Sequence, residues 1–547
     1  MTKRFFLDQH GCAKNQVDGE LLIGILTDKG WQKTVEPEKA DLIIVNSCGF
    51  IEPAKRESIE AVITARTAYP QAKILLAGCL AERYGDIFKT EFEEADAFFG
   101  NGDLSQLPVL IDKLFPDTLP TAQLPTDDQP SVSGNKKRIT AKSPSTSHHP
   151  VAQNSECYQP VQPPAYGRPF LKPAQKGVCC GSRPELLNFP RTAFIKITEG
   201  CDNCCSFCAI PLIRGSVRSR PIDGIVNEIQ DFVQKGYKEF NLIGQDLAVY
   251  EAATSPYNDS PRSPSFYNSR RNTSLLQTAS QNKQNLSKKH ELSGLAQLLH
   301  AISGIKGQFN IRLLYIHPDH FPLDILPIMT ADTRFLPYFD IPFQSGSDPI
   351  IRAMNRCGSV EIYLKLITNI RAAFRTAKSP YGEAVIRTTF LTGFPGETQA
   401  DFEQTAAFLQ KIESLWSGSF AYSPEEGTKA ADMKKQVPAK IAEQRKTTLN
   451  ELQLKITEQK LAAFCGLETD VLIEEIIPQD QNAEEESAQG CIALGRAWFQ
   501  APEVDGAVVV NFSQAQKDSE GNPITPGSLV RVRITALRGI DLEADAL

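Results

Sequence analysis

The sequence EGCDNCCSFCAIP (residues 199–211) places four cysteines within eight positions, and two interpretations of this spacing compete. Two abutting C-x-x-C pairs, Cys201/Cys204 and Cys205/Cys208, would suggest a zinc site. Three thiolates at Cys201, Cys205 and Cys208 would instead leave one corner of a 4Fe–4S cube without a protein ligand. A closed zinc site usually takes a second cysteine pair at a distance, and no C-x-x-C pair follows in this sequence. The stretch therefore favours an iron–sulfur cluster with an open iron, and it leaves Cys204 outside the ligand set.

Around this stretch, residues 191–430 alternate apolar segments with helical patterns. Six segments are predicted strands: TAFIKIT, EFNLIG, NIRLLYI, YFDIPF, VIRTTFLTG and SGSFAYS. The segments that follow these strands are polar, glycine-rich or cysteine-rich, for example GQD, QSGSD and GFPGET. In a (β/α) barrel, the segments after the strands form the active face. We therefore predict that residues 189–430 form a (β/α)6-type partial barrel with its chemistry gathered at one edge.

The N-terminal residues 1–118 show another α/β pattern. RFFLDQH, ADLIIVNS and AKILLAG are predicted strands, and short apolar strands separated by helices indicate a doubly wound parallel sheet. Cys12, Cys48 and Cys79 each follow one of these strands. Because ligands bind outside the carboxyl ends of such strands, the three thiols are predicted to converge on a metal or a cluster. The alternative is three buried thiols that pack as small apolar side chains.

The remaining segments differ in composition. Residues 119–188 hold 11 of the 36 prolines and are predicted to be a disordered linker. Residues 251–290 are a predicted disordered insertion in the barrel domain, and residues 431–465 a helical connector. Residues 466–547 are predicted to form a small β-barrel. This last segment has five Lys/Arg and fifteen Asp/Glu, so its net charge is 5 − 15 = −10.

Composition excludes several classes of protein. The chain of 547 residues has a net charge of −7, which argues against a general coat for nucleic acid. The sequence has no signal-peptide pattern and no apolar run of about 18 residues, so we expect a cytoplasmic protein without a membrane span. In that compartment, the 13 cysteines are expected to be metal ligands, catalytic groups or buried thiols rather than disulfides.

In these motifs the sequence resembles the methylthiotransferases, a family of radical S-adenosylmethionine (SAM) enzymes. GCAKNQVDGE, NSCGFI and AGCL resemble the N-terminal cluster domain of that family. The resemblance to its catalytic domain lies in EGCDNCCSFCAIPLIRGSVRSRP, GQD, IRLLY, YFDIPFQSGSD, AMNRCG, RTTFLTGFPGET and YSPEEGT. The C-terminal segment resembles the TRAM domain of the family. The linker and the insertion are not part of the family pattern.

The resemblance implies two 4Fe–4S clusters and SAM as cofactors, with an electron donor as a partner. One cluster would bind SAM, and one-electron reduction would split SAM to give a radical that abstracts hydrogen from the substrate. The other would carry the sulfur that is methylated and transferred. The ligands implied for the SAM-binding cluster are Cys201, Cys205 and Cys208, and those for the other cluster are Cys12, Cys48 and Cys79.

Further residues are candidates for binding SAM or substrate. The candidate SAM contacts at strand ends or within strands are Gly244, Gln245, Asp246, Arg312, Gln344 and Arg387. For Arg312 and Arg387, a salt bridge at the rim is the alternative, since a buried charge needs a partner. The arginines of RGSVRSRP, which are Arg214, Arg218 and Arg220, would contact substrate or form a solvated basic face.

The family has two branches, which modify an adenosine of transfer RNA or the β-carbon of an aspartate in small-subunit ribosomal protein S-twelve. GRAWFQAPEVDGAVVV, GCAKNQVD and YSPEEGT resemble the ribosomal-protein branch. An acidic C-terminal segment suits a basic ribosomal protein better than a phosphate backbone. We therefore expect S-twelve, free or within the ribosome, as the partner, without direct readout of nucleic acid. The alternative from another class is a non-enzymatic zinc-binding scaffold.

Overall fold

The computed structural model describes residues 2–116, 180–251, 292–478 and 490–547. Most of the predicted linker and nearly all of the predicted insertion lie outside these residues, as do Cys157 and Cys179. In the described part of the chain, no helix is long and apolar enough to cross a membrane.

The N-terminal domain is a parallel sheet of five strands in the order β2-β1-β3-β4-β5. Its strands are β1 Arg4–Gln9, β2 Gln32–Lys33, β3 Leu42–Ser47, β4 Lys73–Gly78 and β5 Ala97–Phe99. Its helices are α1 Ala13–Asp28, α2 Glu52–Ala68, α3 Cys79–Glu91 and α4 Leu107–Leu114. The predicted doubly wound parallel sheet is confirmed. The pattern missed β2 and β5, which are too short to show a period.

Strand β3 shows why this sequence forms a central strand. All six of its residues are buried, as expected for a parallel strand that is covered on both faces. Ile43 and Val45 pack with residues of α2 and α3, whereas Leu42 and Ile44 face the layer of α1 and α4. The continuous apolar run thus serves two helix layers, and the polar turn after it is left at the edge of the sheet.

The central domain is a parallel sheet of six strands in chain order, β6-β9-β10-β11-β12-β13. Its strands are β6 Thr192–Lys196, β9 Glu239–Ile243, β10 Asn310–Leu313, β11 Phe335–Asp340, β12 Val385–Thr392 and β13 Trp416–Ala421. Its helices are α5 Ile210–Arg214, α6 Ile222–Gln234, α7 Gly294–Ser303, α8 Ile325–Ala331, α9 Asp348–Ala353, α10 Val360–Thr376 and α11 Gln399–Ile412. A small hairpin, β7 Thr198–Glu199 and β8 Arg218–Ser219, flanks the cysteine motif. All six predicted strands are present, and the sheet is open between β6 and β13, as a partial barrel requires.

The C-terminal domain is a closed barrel of five strands in the order β14-β15-β16-β18-β17, so no sheet edge is left exposed. Its strands are β14 Glu468–Ile477, β15 Gly490–Arg496, β16 Val508–Ser513, β17 Leu529–Arg538 and β18 Asp541–Ala546. Helix α12, Ala439–Ala462, packs along β13 and leads into this barrel. The predicted small β-barrel is confirmed, although β15 and β18 were not recognised in the sequence.

The loop after β15 packs the C-terminal barrel onto the central sheet. The carbonyl of Trp498 accepts a hydrogen bond from Arg312 Nη1 at 2.7 Å, and the carbonyl of Phe499 accepts one from Trp416 Nε1 at 2.6 Å. Asp505 accepts a hydrogen bond from the Tyr338 hydroxyl at 2.6 Å. The two domains therefore share a polar interface that reaches strands β10, β11 and β13.

Glu239 is the centre of this interface. Its carboxylate lies 2.8 Å from Arg496 Nη1 and 3.3 Å from Arg312 Nη2, and all three side chains are nearly inaccessible to solvent. Burial alone would raise the pKa of Glu239, but the charges of Arg496 and Arg312 outweigh it and hold the pKa at about 2. The alternative of a rim salt bridge for Arg312 is therefore wrong. Its ion pair with Glu239 is buried within the central sheet, and its hydrogen bond to the Trp498 carbonyl reaches the C-terminal domain.

Arg496→Met is expected to lower the free energy of unfolding of the C-terminal domain by about 3–5 kcal/mol, because the Glu239 carboxylate loses its shorter ion pair while remaining buried. Urea denaturation followed by far-ultraviolet circular dichroism and tryptophan fluorescence measures this. Arg538→Met is the matched control, since its ion pair with Glu543 is exposed and is worth less than about 1 kcal/mol. Equal effects of the two substitutions would contradict this role of Glu239.

The last residues of the predicted linker are ordered. Arg183 is buried and its guanidinium donates to Glu20 Oε2 at 2.7 Å, to the Phe194 carbonyl at 2.9 Å and to Glu228 Oε1 at 2.6 Å. These contacts join α1, β6 and α6. The predicted boundary at residue 188 is therefore too late, because a single buried arginine in a proline-rich segment leaves no periodic pattern in the sequence.

Candidate active site

Three loops at the carboxyl edge of the N-terminal sheet bring Cys12, Cys48 and Cys79 together, as predicted. Cys12 precedes α1, Cys48 follows β3 and Cys79 is the first residue of α3. Two glycines allow this convergence. A Cβ at Gly49 would lie 2.7 Å from the Cys79 carbonyl oxygen, and one at Gly11 would lie 3.2 Å from Cys48 Cβ.

The environment of this first triad is set by burial and by cations. Burial raises the pKa of Cys48 to about 12 and also raises the pKa of Cys79. At Cys12, burial of the thiol opposes ionisation, but the positive charges of Lys14 and Arg214 outweigh it and lower the pKa. Arg214 Nη2 lies 3.1 Å from Cys79 Sγ. A site of this kind suits thiolates that share their charge with bound iron.

The second triad lies in the loop between β7 and α5. The loop is fixed by backbone hydrogen bonds from Cys201 to the Gly215 carbonyl and from Cys208 to the Cys205 carbonyl, each 3.0 Å long. Burial raises the pKa of all three thiols, that of Cys208 to about 12. At Cys205, the positive charge of the buried Arg356 side chain opposes this rise. In each triad, the charge of one buried arginine therefore acts on one of the cysteine thiols.

The arrangement of these thiols matters for the kind of cofactor they fit. Among the described residues, no three His, Cys, Asp or Glu side chains are placed to hold one metal ion. The ligands of a single zinc ion must approach within one tetrahedral shell, whereas those of a 4Fe–4S cube bind separate irons. The thiols of each triad are close enough to act on one another's charge, which is compatible with ligands that bind separate irons.

The carboxylate of Asp246, a predicted SAM contact, forms hydrogen bonds with other residues of the protein. Its carboxylate accepts hydrogen bonds from Asn203 Nδ2 at 2.8 Å and from the backbone nitrogen of His317 at 3.1 Å, and it lies 2.7 Å from His320 Nε2. Burial opposes its ionisation, but His320 and these donors hold the pKa of Asp246 well below its usual range. Asp246 thus fixes the cysteine loop through Asn203.

The neighbouring residues Gly244 and Gln245 have different roles. A Cβ at Gly244 would lie 2.0 Å from Thr198 Oγ1, so the glycine is required for close packing of β9 against β7. Gln245 Oε1 is buried and, among the described residues, accepts no hydrogen bond. A buried acceptor without a donor fits a polar ligand such as SAM.

The other predicted SAM contacts are placed as follows. Arg387 Nη1 lies 3.2 Å from Asp340 Oδ1, and its Nε lies 3.4 Å from Asp505 Oδ1, so it forms ion pairs with protein carboxylates. Gln344 closes the loop after β11 with a backbone hydrogen bond to Thr389. Among the described residues, Arg387 Nε is buried without a hydrogen-bond partner, so the prediction that these two residues contact SAM stays a prediction.

Four residues other than glycine in the left-handed backbone region surround this mouth: Cys204, Tyr315, Gln344 and Asn355, with φ angles of 51°, 68°, 69° and 61°. This conformation costs energy in such residues and tends to occur at functional sites. The amide of Asn355 donates to the Cys204 carbonyl at 2.9 Å, so two of the four support each other.

The arginines of RGSVRSRP do not form a solvated basic face, because Arg214 and Arg220 are buried and Arg218 is half-buried. Arg220 lies 2.7 Å from Glu228. Arg214 lies 2.6 Å from both Asp18 and Glu199, in addition to its contact with Cys79.

Arg214 is the structural link between the two triads. It ends α5, which begins two residues after Cys208 and, with five residues, is about 7.5 Å long. Ile213 of the same helix packs against Cys79. The segment that leaves the second triad therefore reaches the first triad directly.

Sequence reasoning missed the acidic partners of this link, Asp18 and Glu199, and also Lys196. A signal was present in α1, where Asn15, Gln16, Asp18 and Glu20 are all buried. Four polar residues in the first half of a helix that directly follows Cys12 indicate a polar interface rather than an apolar core.

Three family models match this chain. The model described as uncharacterized protein family UPF0004 matches residues 4–100, the radical SAM superfamily model matches residues 195–409, and the TRAM domain model matches residues 465–547. The matches follow the order of the three folded domains and include both cysteine triads.

Curated relatives cover nearly the whole chain. A ribosomal protein uS12 methylthiotransferase RimO from Treponema denticola is 52% identical over 541 residues, which cover 99% of this chain and 100% of that protein. One of the same name from Aquifex aeolicus is 32% identical and covers 97% of this chain and 94% of that protein. Among solved structures, the radical SAM methyltransferase TsrM from Kitasatospora setae matches with a TM-score of 0.47 and 11% identity, over 88% of this chain and 79% of that one.

The partial barrel and the Cys201–Cys208 loop define a radical SAM enzyme, a class that uses SAM and a 4Fe–4S cluster. Its catalytic domain lies between the cluster domain and the TRAM domain. The chain belongs to the RimO family of ribosomal protein uS12 methylthiotransferases. It is therefore a transferase, and the expectation of a radical SAM methylthiotransferase is confirmed.

Proposed function

We propose that this chain transfers a methylthio group to the β-carbon of an aspartate in ribosomal protein uS12, using SAM and two 4Fe–4S clusters. The observation that carries the proposal is the proximity of two cysteine triads, joined by the buried side chain of Arg214. A single triad would suffice for SAM cleavage, whereas sulfur transfer needs a second site with its own open iron. The Treponema denticola relative, which is named for action on uS12, supports the choice of substrate.

The residues of this chain divide the work between the two triads. Cys201, Cys205 and Cys208 would hold the SAM-binding cluster, and Cys12, Cys48 and Cys79 would hold the second. When bound, the clusters and SAM supply the one-electron chemistry and the sulfur that a transfer to an unreactive carbon requires.

The protein side chains position and neutralise these groups. Arg356 and Arg214 each place a positive charge against one thiolate, which offsets the charge that the triads bury. Asp246 holds the Cys201–Cys208 loop through Asn203, and Gln245 offers its free carbonyl oxygen to SAM. An electron donor completes the set of partners, and action on a ribosomal protein supports a cytoplasmic location.

The acidic C-terminal barrel supports a ribosomal-protein substrate. Glu475, Glu503 and Asp545 are exposed on it, and ribosomal proteins present basic surfaces that such charges attract. A transfer RNA would require the opposite charge, because binding its backbone depends on Lys and Arg.

Deletion of the gene in the source organism tests the substrate. We expect uS12 to lose the mass of one SCH2 group, while the modified nucleosides of transfer RNA stay unchanged, and a plasmid copy of the gene should restore the mass. A Cys205→Ser copy is the matched control and should not restore it. Loss of a methylthiolated nucleoside with unchanged uS12 would refute the proposal.

A further inference from the structure

Lys14 occupies a special position beside the first triad. It lies two residues after Cys12, in the first turn of α1, and is half-buried. Its ammonium lies 3.2 Å from the centre of the Tyr315 ring, at the end of β10 in the catalytic domain. Lys14 therefore extends from the first cysteine loop toward the mouth of the barrel.

The charge of Lys14 is not balanced by an acidic side chain. Among the described residues, no carboxylate lies within 4.0 Å of its ammonium. The neighbouring cations differ in this respect, since Lys196 and Arg214 are matched by Asp18 and Glu199 at 2.5–2.7 Å. A half-buried ammonium that rests on an aromatic ring, with no carboxylate partner among the described residues, retains donors for an anionic ligand.

Tyr315 connects this cation to residues that support the second triad. Its φ angle of 68° is an unfavourable backbone conformation for an aromatic residue, of the kind found at ligand clamps. Its carbonyl accepts a hydrogen bond of 3.0 Å from Leu247, which directly follows Asp246, and the charge of Asp246 acts on the Cys201 thiol. Tyr315 is thus bonded to the segment that contains Asp246, next to the second triad. Lys14 itself lies in the loop of the first triad.

We propose that Lys14, resting on the ring of Tyr315, binds the side-chain carboxylate of the target aspartate and so selects an acidic residue as the substrate. This inference rests on the proposed function. A carboxylate held by Lys14 would lie where the loop of the first triad meets the catalytic domain, so the adjacent β-carbon would be offered to both domains, as hydrogen abstraction and sulfur transfer require. An asparagine or a nucleobase would lack the negative charge that this ammonium requires.

A double-mutant cycle tests the contact by binding alone. Binding of recombinant uS12, and of uS12 with its target aspartate changed to asparagine, is measured for reconstituted wild-type enzyme and for Lys14→Met, without SAM or reductant. Lys14→Met should weaken binding of native uS12 about ten-fold or more, because a charge-assisted hydrogen bond is lost. It should leave binding of the asparagine form unchanged. Lys14→Arg should retain most of the preference for aspartate, and Lys39→Met, at an exposed ion pair, should change neither affinity.

The outcomes separate two kinds of failure. If Lys14→Met weakens both forms of uS12 equally, or if it loses iron and cluster absorbance relative to wild type, Lys14 supports the first cluster rather than the substrate, and the inference is wrong. If reconstituted wild-type enzyme, given SAM and reductant, adds no methylthio group to uS12, the proposed function itself is wrong, and the inference falls with it.

Discussion

Cys205→Ser is expected to abolish SAM cleavage and to lower the bound iron from about eight atoms per chain to about four, since one of two 4Fe–4S clusters is lost. Cys204→Ser, one residue away, should keep both. The structure separates these neighbours. The charge of the buried Arg356 acts on the Cys205 thiol, whose sulfur lies 3.9 Å from His317 Nε2. Cys204 is in the left-handed conformation, and its carbonyl is held by Asn355.

Iron content, the absorbance of the reduced and oxidised protein, and 5′-deoxyadenosine formation measure the two effects. Cys465→Ser is the matched control, because Cys465 is exposed at the end of α12. Cys204→Gly adds a second check, since glycine adopts a positive φ without strain and should preserve the loop. Cys204 lies close enough to Cys208 to affect its pKa, so the comparison tests a cysteine next to the proposed ligands rather than a remote one. Loss of iron in Cys204→Ser would show that the ligand set is shifted by one residue.

The sequence was sufficient to predict features that depend on local patterns. Six apolar runs became the six strands of the central sheet, because each run is long enough to show its period and is bounded by polar turns. Parallel strands carry their carboxyl ends to one edge, so the positions of Cys12, Cys48 and Cys79 after three strands were enough to predict their convergence.

Contacts between distant side chains were not predictable in this way. An arginine inside a strand can pair with either a ligand or a protein carboxylate. Arg312 contacts Glu239 and the carbonyl of Trp498, which are 73 and 186 residues away in the chain. No local pattern links these positions. The same reason explains why the buried ion pairs of Arg214 were not predicted. Its partners Asp18 and Glu199 come from two domains, and only their packing makes the site buried.

Arg214→Met is expected to lower the free energy of unfolding by about 3–5 kcal/mol and to reduce occupancy of the first cluster. Arg214, Lys196, Asp18 and Glu199 form a buried network of two positive and two negative charges, each at most 4% exposed. Removal of Arg214 leaves two carboxylates against one ammonium. It also removes the donor that lies 3.1 Å from Cys79 Sγ. Chemical denaturation and iron analysis measure the two consequences, with Arg531→Met, at an exposed ion pair with Asp470, as a control expected to cost less than about 1 kcal/mol.

A second substitution identifies the cause of this loss. If unbalanced charge is responsible, Arg214→Met combined with Asp18→Asn restores one cation against one anion, and the pair should destabilise the protein less than the sum of the single substitutions. Iron occupancy should not recover to the same extent, because the restored balance does not return a donor to Cys79. Strict additivity of the two free energies would mean that packing of the arginine, rather than its charge, holds the cluster domain against the catalytic domain. If the free energy of unfolding recovers and iron occupancy does not, the charge of Arg214 stabilises the contact between domains, and its donor to Cys79 separately supports the first cluster.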